Sequence, residues 1–217
     1  MSALKYAIKK EWYNVIMLLL PFLVLPFIWD QLPAQLPTHW NLQGQVDGYS
    51  SRTMGSIILP LINIGTYLLL LYLPAIDPKK RIEIDQKPIP VLRTLLVVLL
   101  LALHCWIIAS AMNAGIQSQG WMYLGLAAFF VVMGNYLRTI KPNYFIGIRV
   151  PWALEDADNW RQTHRMGSYV WVGGGLLLLV SFPFFDIKTF STIFGVVAAS
   201  LALIPAIYSF YIYKQSS

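Results

Sequence analysis

Two polar stretches hold most of the residues in this chain that could do chemistry. The first is L-P-A-Q-L-P-T-H-W-N-L-Q-G-Q-V-D-G-Y-S-S-R, residues 32 to 52. It sets His39, Trp40 and Asn41 side by side, with Gly44, Asp47 and Arg52 following. An imidazole, an indole and an amide supply donors, acceptors and an apolar face, a set suited to gripping an amphipathic surface. Pro33 and Pro37 stiffen the approach, and Gly44 with Asp47-Gly48 supplies turns, so the trio is expected to form one fixed unit. Asn41, Gln43, Gln45 and Asp47 alternate as oxygen ligands do in a calcium loop, but only Asp47 is acidic and hard cations take several carboxylates. No metal is assigned. The plain alternative is a compact loop pinned at a membrane surface by Trp40.

The second stretch is G-N-Y-L-R-T-I-K-P-N-Y-F-I-G-I-R-V-P-W-A-L-E-D-A-D-N-W-R-Q-T-H-R, residues 134 to 165. Its candidate binding residues are Asn135, Lys141, Asn143, Tyr144, Arg149, Trp152, Trp160, Arg161, His164 and Arg165. Arginines make forked contacts to carboxylate or phosphate, which lysine cannot. Trp152 and Trp160 would add apolar walls. A short helix is expected after Pro151-Trp152, with Glu155, Asp156 and Asp158 in its first turn and Arg161, His164 and Arg165 near its end, an arrangement that complements the helix dipole. Asn143, Arg149, Trp152, Trp160, Arg161 and His164 are expected to converge into a site for an anionic ligand or an acidic partner. The alternative is an amphipathic stem lying on the inner leaflet.

The rest of the chain is what must position these stretches. Of 217 residues, 57% are hydrophobic and 12% charged, far below the charged share of a soluble domain. The apolar residues fall into runs near Tyr13–Trp29, Ser56–Leu73, Val91–Met112, Trp121–Leu137, Gly167–Phe185 and Phe190–Tyr213, each close to the length that crosses a bilayer. The fold class is therefore all-α, a polytopic membrane protein with about six transmembrane helices, read as a single integral membrane domain over 1–217. Segments 1–12, 75–93, 138–165 and 214–217 hold fourteen of the sixteen Lys and Arg residues. Cationic connections stay inside, so both termini are expected in the cytoplasm and residues 30–55 outside. The first apolar run carries Pro21 and Pro26 and no clean small-residue cleavage site, so it reads as an uncleaved span.

The net charge of +6 is explained by those connections and by anionic lipid, and nucleic acid is not expected as a direct partner. Gly173-Gly174-Gly175 lies inside an apolar run, with no strand before it and no lysine after it, and so reads as helix contact rather than a phosphate cradle. Cys105, the one cysteine, reads as a packing residue. Asn63, His104 and Asn135 are polar groups at membrane depth and candidates on that ground. No catalytic residue and no cofactor is assigned.

Taken together, the stretch P-T-H-W-N-L-Q-G-Q-V-D-G-Y-S-S-R and the inner stretch ending W-R-Q-T-H-R resemble the SdpI family of bacterial immunity proteins. In that family an outer-loop domain of unassigned function precedes the inner motif in a six-span chain. The resemblance implies a multi-pass protein of the bacterial cytoplasmic membrane that protects against a secreted toxic peptide. It also implies capture of a small cytoplasmic transcriptional regulator at the membrane. It supplies no catalytic residue. A competing expectation from the residues themselves is a membrane enzyme or carrier, using the cationic inner segment on a lipid-like anionic ligand.

Overall fold

The computed structural model describes residues 2–41, 45–77, 83–85, 88–112 and 120–216. Among these, eight α-helices and one two-stranded sheet follow one another: α1 (Ala3–Lys10), α2 (Trp12–Ile28), β1 (Gln35–Trp40), β2 (Val46–Ser51), α3 (Arg52–Ile76), α4 (Ile89–Ala111), α5 (Gly120–Leu137), α6 (Pro151–Glu155), α7 (Ala157–Ser181) and α8 (Ile187–Ser216). Six of the helices are long and apolar enough to cross a membrane: α2, α3, α4, α5, α7 and α8. The protein is a multi-pass membrane protein, as its composition requires.

The chain forms two compact units, 1–73 with 91–119, and 74–90 with 120–217. In the first, α1 meets α2 at Glu11, whose backbone N–H still bonds the Ala7 carbonyl. Ser2 caps α1, and Lys9 and Lys10 occupy its last turn, the end that favours cations. Pro21 and Pro26 sit within α2 and withhold two N–H groups from its ladder. Asn63 on α3 donates to the Val97 carbonyl of α4 at 3.1 Å, so this polar group at membrane depth is a helix-to-helix tie.

Between α2 and α3 the chain forms a β-hairpin rather than the turn-rich loop expected from its sequence. Leu36 pairs with Ser50 and Pro37 with Tyr49; the register then slips on both sides of His39, which stands opposite Gly48. Such bulges re-aim side chains and strengthen the local twist. Leu36 and Leu32 turn inward and pack with Leu25 of α2 and Trp106, Ile107 and Ile108 of α4.

In the second unit α5 packs on α7, and α7 on α8. Small residues allow the approach. A Cβ on Gly134 would come 2.7 Å from the Trp171 Cβ, and one on Gly175 would come 2.8 Å from the Ala127 carbonyl oxygen. The helix expected after Pro151 is interrupted: α6 ends at Glu155, and Asp156 is extended and caps α7 by accepting from the Asp158 N–H at 2.8 Å. From there α7 runs without a break, beginning ten residues before the expected Gly167 start of that span.

Candidate functional site

The β-hairpin holds the first group of candidates. His39 Nδ1 and the Asp47 carboxylate are hydrogen-bonded on the exposed face. Asp47 is the residue left over by the bulge, which is why it reaches His39 rather than pairing across the ladder. Trp40, on the next position of the strand, turns to the other face and lies against Trp106 of α4, with ring centroids 4.4 Å apart. Asn41 closes the strand ends: its N–H bonds the Gln45 carbonyl, and its side-chain oxygen accepts from the Gln45 N–H, each at 2.9 Å. Gly44 lies outside the described residues. Arg52, at the start of α3, donates to the Pro33 carbonyl at 3.3 Å and lies over the Trp29 ring. His39 thus presents an exposed imidazole on a strand whose neighbour Trp40 is anchored below.

The inner stretch divides into a buried joint and an exposed cationic rim. The joint begins at Asn143, whose side-chain oxygen accepts from the N–H groups of Phe145 and Ile146 at 2.8 and 2.7 Å. Its amide donates to the carbonyls of Lys141 and Ile146. This wraps 141–146 into a tight turn that delivers Gly147 with φ 115, a conformation that favours glycine. A Cβ there would lie 2.4 Å from His164 Nε2. The Ile148 N–H donates to that nitrogen at 3.0 Å, and His164 Nδ1–H donates to the Trp160 carbonyl at 2.9 Å. The two bonds fix a neutral imidazole with its proton on Nδ1, because a doubly protonated ring could not accept from Ile148. The ring stacks on Trp160 at 4.0 Å, and the Trp160 indole N–H donates to the Ile140 carbonyl at 2.8 Å.

Of the six residues expected to converge, the bonds of this joint tie three to one another. Asn143, Trp160 and His164 come together through the turn, but both side chains on α7 are buried and spend their polar atoms on backbone. Arg161, one residue and about 100° further around the helix, is exposed and pairs with Asp158 at 2.8 Å. Arg149 is exposed and donates to the Tyr144 carbonyl at 2.6 Å; Tyr144 is itself exposed. Arg165 is exposed and bonds the Tyr169 hydroxyl one turn on. Lys141 and Asn135 are exposed as well. Trp152 packs against Phe210 and Tyr213 of α8 at 5.1 and 6.3 Å. The physical reason is phase and charge: guanidinium groups stay where they are solvated, while the aromatic stripe faces the packed side.

Sequence reasoning missed two polar clusters. Asn159 donates to the Ser209 carbonyl on α8 and accepts from Thr163, binding α7 to α8. The recurrence of polar residues at 159 and 163 beside the 160 and 164 pair was the available signal. In the first unit Glu11 is 1% exposed and Arg93 0%. The Arg93 guanidinium forks onto the Glu11 carboxylate, with Nε at 3.1 Å from Oε2 and Nη2 at 2.5 Å from Oε1. The Tyr67 hydroxyl donates to the same carboxylate at 2.9 Å, and the Tyr6 ring lies under the guanidinium. This node ties the α1–α2 corner to α3 and α4.

A family model described as the SdpI/YfhL protein family matches residues 139–209, which contain the Asn143–Gly147 turn, the His164–Trp160 stack and the α7–α8 tie. Over these residues the chain is similar to the SdpI family. A second model, a domain of unknown function (DUF1648), matches residues 16–64, which contain the β-hairpin. The immunity protein SdpI of Bacillus subtilis (strain 168) is 24% identical over 207 residues, covering 95% of this chain and 97% of the relative. No solved structure matches. Each of the two matched stretches thus has a structural counterpart: the first contains the hairpin, the second the turn and helix pair with its arginine rim.

Proposed function

We propose that this chain protects its cell against a secreted membrane-active peptide. The β-hairpin would be the outer face that meets the peptide, and the exposed arginines of the 138–165 segment the inner face open to a cytoplasmic partner. The observation that carries this reading is the likeness to the immunity protein SdpI over nearly the full length of both chains. The fourteen-to-two division of Lys and Arg supports the orientation. The exposure of Arg149, Arg161 and Arg165 supports a docking surface over an enclosed anion pocket, and so favours this reading above the lipid enzyme or carrier.

The test is expression of the full chain in a peptide-sensitive Bacillus strain stripped of its own immunity protein. Survival under the secreted peptide is scored, with membrane localisation of a tagged cytoplasmic regulator as a second readout. Protection that is lost on His39→Ala with Asp47→Ala supports the outer half of the proposal. Recruitment that is lost on Arg149→Ala with Arg161→Ala, while protection persists, supports the inner half. A chain that inserts in the membrane and gives no survival advantage overturns the proposal.

A further inference from the structure

Within the first unit, α2 and α4 do not close on each other along the half that leads to the hairpin. They leave a cavity of about 370 Å³ whose walls include Pro21 and Leu25 from α2 and Leu101, Cys105 and Ile108 from α4. That volume is in the range of small-ligand sites. His104 also lines the cavity. It is 4% exposed, and its Nδ1 is buried with no hydrogen-bond partner among the described residues. Among the described residues no charged side chain lines the space.

We propose that this cavity is a binding site for a neutral amphiphile: an apolar chain carrying a hydroxyl that meets His104. The walls select an apolar body, since any ionised headgroup would be desolvated there without a counter-charge. A lipid hydrocarbon tail would fill the volume and leave the imidazole unpaired. A neutral imidazole offers one donor and one acceptor, and a hydroxyl can answer either. Buried polar groups are ordinarily satisfied, so the unpaired nitrogen marks where the missing group belongs. The alternatives are weaker. The Asn159 cluster spends its bonds within the protein, the Glu11 carboxylate is already held by Arg93 and Tyr67 with no cavity beside it among those described, and the arginine rim belongs to the function proposed above. The cavity proposal does not depend on that function.

The probe is a decanol carrying a photoreactive diazirine, added to the full chain in phosphatidylglycerol vesicles, with cross-linked peptides mapped by mass spectrometry. Labelling should concentrate on residues 20–28 and 101–112. Unlabelled decanol should compete about five-fold better than decane, the scale of one neutral hydrogen bond. In His104→Leu, which keeps the apolar volume, decanol and decane should compete equally. Ala109→Phe, which fills the cavity, should abolish the concentrated labelling. Even labelling of all lipid-facing helices overturns the proposal, as does equal competition by decane and decanol in the wild-type chain. So does a His104→Leu protein that still prefers the alcohol. The wild-type comparison decides the matter alone if either variant fails to insert.

Discussion

Glu11 and Arg93 are 82 positions apart and pair charge against charge in a buried site. Removing one partner strands the other's charge in a buried site, at a cost of about 3–5 kcal/mol. Arg93→Ala is therefore expected to lower the unfolding temperature of the detergent-solubilised protein sharply. A Glu11→Leu, Arg93→Met double variant, which strands no charge, should recover most of that loss. A single variant as stable as wild type would show that the node is solvated. Neither residue could be paired from the sequence. Each sits at the end of an apolar run, where a charge reads as a marker of orientation, and no local spacing links them. His164 and Trp160 were legible as neighbours because four residues bring side chains onto one helix face. Their use was not. The backbone that consumes their polar atoms is set by Gly147, whose φ of 115 leaves no mark in composition.

At the scale of elements, the helices were legible from apolar length, and the hairpin was not. Pro33, Pro37 and the glycines argued for turns, while the pairing of Leu36 with Ser50 depends on a partner strand that local pattern cannot supply. The first ten residues of α7 were legible as a helix from the placement of their charges, but apolar length alone left them out of the span; they are helical since Asp156 caps them and Asn159, Trp160 and Thr163 have partners within the unit. The glycine triplet shows how finely phase matters. A Cβ on Gly174 would meet Leu201 at 2.7 Å and one on Gly175 would meet Val131 at 2.7 Å, but Gly173 has nothing within 4 Å. Gly173→Ala is expected to be neutral or to stabilise by up to about 1 kcal/mol through helix propensity. Gly175→Val should separate α5 from α7 and be read as a broadened size-exclusion peak and faster proteolysis. Equal behaviour of the two variants would contradict the packing.

For the whole molecule, six spans followed from hydrophobic length alone, and the charge division supplies the expected orientation. It is checked with single cysteines in a Cys105→Ser background. A cysteine at Ser50, on the hairpin, should react with an impermeant maleimide in intact cells; one at Lys214 should react only after permeabilisation. The reverse pattern would invert the scheme. The buried Glu11–Arg93 node has a further consequence, one of timing. A ribosome adding roughly 5–20 residues per second needs about 4–16 s to make the 82-residue stretch between the two partners. During that interval the carboxylate at the foot of the first span lacks the guanidinium that holds it in the folded protein. The nascent chain must hold it at the water-facing edge of the bilayer until the third span arrives. A chain stopped after α3 should therefore sit shallowly and be cleared quickly by the membrane's proteases, and the arrival of α4 is the event that commits the first half of the protein to stay.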